Sequence, residues 1–170
     1  MTDILRIQSL TKSYPSPEKK LTVLKDLNFN LEKNKSMFLF GPSGCGKSTF
    51  LNMIIGLDNP DQGDIFVNNK LLIENKNNLL KDYIGIVFQD HYLINELNVT
   101  ENLLIKSNDE DHLNFLLKNL EINDLKNKYP NQLSNGQKQR VCVARSLINK
   151  PKIIIADEPT SYLDRKNSDK

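Results

Sequence analysis

Residues 36–57 read SMFLFGPSGCGKSTFLNMIIGL, and the fold class turns on them. The apolar run at 36–40 is short and continuous, the composition of a strand buried on both faces. It leads straight into residues 41–49, and the TFLNMIIGL that follows has the length and composition of a helix. From Gly41 to Ser48 the chain fits G-x-x-x-x-G-K-[ST], with Thr49 just beyond. Gly41, Gly44 and Gly46 allow a tight backbone turn whose amides approach phosphate oxygens. The helix that follows aims its N-terminal donors and the positive end of its dipole at the same anion. Lys47 supplies a point charge for the outer phosphates, and the Ser48 hydroxyl can ligate magnesium. The plain alternative is a glycine-rich turn that happens to hold Lys and Ser. The apolar strand before it and the apolar helix after it argue against that alternative.

A second site element lies near the end of the chain, where KIIIADE carries an apolar strand into Asp157 and Glu158. Asp157 suits a carboxylate that orders magnesium, directly or through water. Glu158 beside it points elsewhere and can polarise an attacking water as a general base. Acidic residues opening a loop after a strand are common, so this run acquires meaning only beside the phosphate loop. Between the two lies LSNGQKQR at 133–140. Ser134 followed three residues later by Gln137 is a capping-box pattern that opens a helix, and the helix stops before Pro151. Ser134 and Gly136 at its start offer a hydroxyl and backbone amides, a second anion-facing surface. Capping alone would favour an ordinary surface helix.

Outward from these motifs, ILRIQSLTKSY and TVLKDLNFNL read as strands separated by the loop PSPEKK. Val23, Leu27, Phe29 and Leu31 are candidates for one buried face of the second. GDIFVNNK reads as a strand closed by an Asn-Asn turn, and YIGIVFQ as another strand. From about Thr100 the periodicity becomes helical, as in ENLLI and DHLNFLLKNLEI. With 38% hydrophobic and 26% charged residues over 170 positions, the chain is globular and of a size for one domain. A formal charge of +2 is too mild to argue for nucleic acid, the basic residues are scattered, and no nucleic-acid partner is expected. No apolar stretch is long enough to span a bilayer, and MTDILRIQSL lacks the pattern of a signal peptide. The two cysteines, Cys45 and Cys142, suggest a cytoplasmic chain with reduced thiols.

Taken in order, these motifs resemble the ATP-binding cassette transporter ATPases over essentially the whole chain. GPSGCGKST, including Pro42, Ser43 and Cys45, is similar to the family's Walker A, and IIIADE to its Walker B with the catalytic glutamate. LSNGQ resembles the signature motif and SYLD the D-loop. Gln89 in IVFQD matches the Q-loop, which in the family senses the magnesium site and meets the membrane subunit. Tyr14 in LTKSY matches the aromatic that stacks on adenine, although a strand-end tyrosine alone reads as a half-buried packing residue. The resemblance implies ATP and Mg2+ as cofactors, with Ser48, Gln89 and Asp157 around the metal and Glu158 and Gln89 in catalysis. It implies ATP-dependent homodimers in which Ser134, Gly136 and Gln137 serve the partner's nucleotide, with Asp164 near the dimer interface. It also implies transmembrane permease partners and a peripheral place on the cytoplasmic face of the inner membrane. GLDNPDQGDIFVNN and IGIVFQDHYLINELNVTENL are most similar to the branch serving lipoprotein release and macrolide export. Relatives acting on ribosomes carry two cassettes, and those acting on DNA insert a coiled coil; this chain has neither.

The expected fold class is therefore α/β: a P-loop NTPase core, a mixed sheet flanked by helices, with an N-terminal antiparallel β part and a helical insertion. The expected organisation is one domain over 1–170. Residues 1–88 and 151–170 form its core and β part, and 89–150 its mostly helical part.

Three departures from the family pattern set further expectations. Asn135 stands where the signature carries glycine; it tolerates left-handed backbone, but its side chain is expected to crowd the partner's γ-phosphate and weaken dimerisation. Ser161 and Tyr162 replace the small pair before Leu163, which is expected to alter the D-loop contact. The family's switch histidine has no counterpart: His91 reads as a loop histidine, His112 as a solvated one, and neither follows Glu158. The expectation is a C-terminally truncated cassette, prone to association through an exposed sheet edge. The alternative function is a regulatory or vestigial nucleotide-binding subunit, such as a division-type signalling ATPase, with little turnover.

Overall fold

The computed structural model describes residues 3–17, 19–105 and 107–159, and the chain divides into two compact units, Met1–Leu80 and Lys81–Lys170.

The first unit is built on a four-stranded antiparallel sheet in the order β2-β1-β3-β4, from β1 (Asp3–Tyr14), β2 (Leu21–Glu32), β3 (Gln62–Val67) and β4 (Lys70–Leu71). This is the expected N-terminal antiparallel part. Ile4 and Leu5 are both buried at the start of β1; beyond them the buried positions are Ile7, then Leu10 and Lys12, so the inward phase changes from odd to even across Ser9. The cause is a bulge around Ser9, whose φ of 47° and the shifted pairing of Ile7 and Leu10 add one residue to β1. A one-residue insertion of this kind flips every later side chain to the other face. β3 accommodates the bulge with Gly63 at φ 84°, where a Cβ would stand 2.3 Å from the Gln8 carbonyl oxygen. β3 then turns into β4 through Asn68 and Asn69, both at positive φ (49° and 62°), the two-residue turn whose twist suits a hairpin. The candidate face of β2 is correctly placed but only half-buried, because β2 forms the edge of the sheet.

Two helices complete this unit's elements: α1 (Lys47–Ile54) and α2 (Leu72–Asp82), the latter running just past its boundary. The buried side chains include Ile7, Leu10, Met53, Val67 and Leu79. The expected strand at 36–40 is not formed. Phe38 and Phe40 are 79% and 85% exposed, and the segment belongs to no ladder among the described residues. Apolar composition favours burial, but a strand also needs a backbone to pair with, and none of the described strands pairs with this segment.

The second unit holds a parallel pair, β5 (Ile84–Val87) beside β6 (Ile153–Ala156), in the register Ile84↔Ile153 to Val87↔Ala156. Between them run α3 (Val99–Leu104), α4 (Glu110–Asn119) and α5 (Asn135–Leu147), with 3₁₀ turns at Asn123–Leu125 and Pro130–Gln132. Their apolar faces close on one cluster that includes Leu103, Leu117, Ile122, Val141 and Ile148.

The loop after β5 owes its shape to Asn102, which is wholly buried in α3. Its Oδ1 accepts the Ile94 N–H at 2.8 Å, and its Nδ2 donates to the carbonyls of Ile94, Leu97 and Asn98 at 2.9–3.0 Å. Asn102→Leu keeps the branching at Cγ, adds some bulk and strands those backbone groups. The expected cost is about 2–3 kcal/mol, read as a lower midpoint in urea unfolding.

Candidate functional site

Each unit carries part of the machinery. In the first, α1 begins at Lys47 itself, with Gly46 as its N-cap in the left-handed region at φ 100°. A Cβ on Gly46 would stand 2.7 Å from the Val23 side chain, so glycine is required there both conformationally and by space. The first intrahelical bond runs from Phe50 N–H to the Gly46 carbonyl at 2.9 Å. The amides of Lys47, Ser48 and Thr49 therefore have no acceptor inside the helix, the arrangement that receives an anion. Lys47 folds back over the loop, its Nζ donating to the carbonyls of Gly41 at 2.8 Å and Pro42 at 2.9 Å. Pro42, Ser43, Gly44, Cys45 and Ser48 are exposed and Thr49 is half-buried. A half-buried lysine, the exposed Ser48 hydroxyl and a helix start without internal acceptors fit a triphosphate. Tyr14, at the end of β1, is half-buried, and its hydroxyl donates to Asp58 Oδ2 at 2.6 Å.

In the second unit, the parallel pairing continues one residue past β6, with Asp157 N–H donating to the Val87 carbonyl at 3.0 Å. The ladder so carries Asp157 and Glu158 to the same end of the pair as Gln89. Gln89 Nε2 donates to Glu158 Oε2 at 3.3 Å, joining two residues 69 apart in sequence. Glu158 is exposed and sits at φ 46°, a left-handed backbone that costs a non-glycine residue about 1–3 kcal/mol and recurs at functional sites.

In the second unit Gln89 and Asp157 offer amide and carboxylate oxygens, and in the first Ser48 offers a hydroxyl; each is a hard donor of the kind Mg2+ prefers over a soft metal. With the Gln89 amide nitrogen engaged by Glu158, its carbonyl oxygen is the atom left for a cation. Among the described residues no group of three or more His, Cys, Asp or Glu could hold a metal ion.

Ser134 caps α5 as expected. Its Oγ accepts the Gln137 N–H at 3.3 Å, and Gln137 Oε1 accepts the Ser134 N–H at 2.9 Å. Asn135 opens α5 as an exposed helical residue and is absent from the positive-φ positions. Tolerance of left-handed backbone is thus not what lets it replace glycine, since the helical turn accepts any L-residue there. Gly136 and Gln137 follow in the first turn, half-buried.

Sequence reading passed over the side chains that hold these motifs in place. Gln139, buried in α5, donates to the Pro159 carbonyl at 2.8 Å and so ties α5 to the segment carrying Glu158. Arg145 holds the loop after Gln89, its guanidinium donating to the carbonyls of His91 at 2.7 Å and Tyr92. Cys142 Sγ adds a contact to the His91 carbonyl at 3.1 Å. Burial pushes the Cys142 thiol up to about 11, so it is neutral at physiological pH. His91 is half-buried, and its pKa is lowered by that burial and by the Lys138 charge. The signal for Gln139 was available: it is a polar residue on the same helix as the buried Val141, Cys142 and Ala144. His112 is corrected from solvated to half-buried. Its ring stacks on Phe115, and Nε2 lies 3.3 Å from the Leu147 carbonyl, because α4 turns that face toward α5. Ser161, Tyr162, Leu163 and Asp164 lie outside the described residues.

Residues 24–161 match the family described as ABC transporter. The chain is 39% identical over 179 residues to the lipoprotein-releasing system ATP-binding protein LolD of Treponema denticola, covering 98% of this chain and 79% of that protein. Among solved structures it resembles the dimeric ABC transporter cassette MJ0796 at a TM-score of 0.88 and 36% identity, over 97% of this chain and 78% of that one. A post-hydrolysis state of the same cassette, bound to ADP and Pi, matches at a TM-score of 0.86 and 37% identity, over 95% and 77%. No helix among the described residues is long and apolar enough to cross a membrane.

Proposed function

The chain belongs to the ABC transporter family, and from that premise we propose that it binds and hydrolyses ATP to power a membrane partner. The pair it works in would be a homodimer, each copy's phosphate loop facing the other copy's Ser134 and Gly136. The observation that carries the reading is the Gln89–Glu158 hydrogen bond at the tip of the parallel pair. It holds a candidate base against a residue able to sense the metal. In this reading the loop from Gly41 to Thr49 receives the phosphates through its amides, and Lys47 leaves its own loop carbonyls to neutralise the outer ones. Tyr14 stacks on the adenine. Mg2+, held by Ser48, Gln89 and Asp157, would neutralise phosphate charge. Glu158 accepts the proton of the water that attacks the terminal phosphorus, and Gln89 orients its carboxylate.

Likeness to LolD supports lipoprotein release as the transport task, with transmembrane permease subunits as partners at the cytoplasmic face of the membrane. Binding and release would reach those subunits through the loop after Gln89, which Arg145 and Asn102 hold rigid.

The test is MgATP turnover by the purified chain across a range of chain concentrations. Turnover per chain is expected to rise with concentration, because two copies complete each site. Asn135→Gly is expected to move that rise to lower concentration by relieving crowding of the partner's phosphate. Nucleotide binding without turnover at any concentration would overturn the enzymatic reading in favour of a nucleotide-sensing subunit.

A further inference from the structure

Around the Tyr14 hydroxyl the first unit holds a network of charged groups that neither phosphate binding nor water activation uses. Asp58 stands just beyond α1 and accepts two strong donors. The Tyr14 hydroxyl lies 2.6 Å from Oδ2, and Lys12 Nζ lies 2.6 Å from Oδ1. Lys12 also donates to the Asn59 carbonyl at 2.6 Å, and its ammonium lies 5.2 Å from the centre of the Tyr14 ring. Asp61 anchors the strand end from the other side, accepting the Ser13 N–H at 3.0 Å and pairing with Lys20 at 3.3 Å.

The chemistry of this cluster is directional. The bond to Lys12, with that to Tyr14 second, holds the Asp58 carboxyl below its usual range and keeps it an acceptor only. The phenol must then donate, which fixes the hydroxyl and with it the plane of the ring. Lys12 is 8% exposed and sits in the inward phase of β1 set by the bulge, a position an apolar side chain could fill. Buried charge pairs of this kind are weak contributors to stability compared with well-packed apolar groups. What the pair does supply is orientation.

We propose that Asp58, held by Lys12, is a positioning residue for the nucleotide base: it clamps Tyr14 so that the ring is already oriented when adenine stacks on it. The inference rests on the reading of Tyr14 as the base platform. A clamped ring loses little freedom on binding, whereas a free one must be ordered by the ligand. Asp58 therefore governs affinity for the base and leaves affinity for the phosphates alone.

The experiment titrates the full chain with two probes that are not turned over, ADP and inorganic pyrophosphate, each with Mg2+. Tyr14→Ala is expected to lower ADP affinity most. Tyr14→Phe, which keeps the ring and deletes only the hydroxyl, and Asp58→Asn are each expected to lower it about three- to tenfold. Pyrophosphate affinity should stay at the parent value in all three. The double variant Tyr14→Phe/Asp58→Asn should be no weaker than either single one: an amide at position 58 keeps one acceptor oxygen, which the Lys12 ammonium takes, so both changes remove the donation from Tyr14. If Tyr14→Ala lowers ADP affinity while Tyr14→Phe does not, the ring stacks without a clamp and the inference is overturned, with the platform reading intact. If Tyr14→Ala leaves ADP affinity unchanged, the platform reading itself fails. Equal loss of both probes in Asp58→Asn would mark a structural residue, and Tyr14→Phe then decides the case on a side chain whose packing is preserved.

Discussion

Glu158→Gln is expected to lower ATP turnover by about 10²- to 10⁴-fold while leaving ATP affinity near the parent value. The substitution keeps the side chain's length and can still bond to Gln89, because an amide oxygen accepts from Nε2 as the carboxylate does at 3.3 Å. What it removes is basicity. The phosphate loop, with Lys47 and the first-turn amides of α1, belongs to the other unit and is untouched. With hydrolysis stopped and binding intact, ATP should accumulate on the protein and hold two copies together. Steady-state turnover, ATP titration and size-exclusion chromatography with ATP check the three parts. Turnover within tenfold of the parent would place the base elsewhere.

The largest effect on stability is expected at Gly85, in β5. A Cβ there would stand 2.3 Å from the Ser146 carbonyl oxygen and 2.9 Å from the Pro151 ring, so the backbone of α5 lies directly on the strand. Backbone oxygen cannot swing aside as a side chain can. Gly85→Val should cost about 3 kcal/mol or more, lowering the thermal midpoint by on the order of 10 °C. Because α5 carries Ser134 at its start and Gln139 toward Pro159, displaced packing at Gly85 should also lower turnover in whatever fraction stays folded. Differential scanning calorimetry reads the first effect, and a midpoint within 2–3 °C of the parent would mean that α5 shifts at little cost.

The chemistry was legible in the sequence where its requirements are local. A phosphate cradle needs glycines, a lysine and a hydroxyl at fixed spacing, and Gly41 to Thr49 carry them. The capping box from Ser134 to Gln137 spans four residues, and the turn at Asn68 and Asn69 spans two. Legibility ended where a residue's meaning depends on a distant partner. The apolar run at 36–40 specifies burial and says nothing about which strand it would pair with. Lys12 reads as a surface lysine until Asp58, 46 residues on, appears against it. Asn102 and Gln139 are polar residues in buried positions, and only the carbonyls they satisfy explain them. α2 went unread because IENKNN is rich in asparagine, a poor helix former. The helix is indeed interrupted at Asn75, whose side chain bonds the Leu71 carbonyl at 2.9 Å instead of facing solvent.

The parallel pairing of β5 and β6 also sets a timetable for biosynthesis. Residues 88–152 lie between the two strands, and a ribosome adds about 5–20 residues per second, so β5 waits roughly 3–13 s for its mate. The helices in between can collapse on their own cluster during that interval, since every member of it precedes Ile153. An unpaired parallel edge is meanwhile open to other chains, the kind of surface that chaperones shield. The bond between Gln89 and Glu158 is among the last to close, so a nascent chain gains its general base only after its helical part is already built.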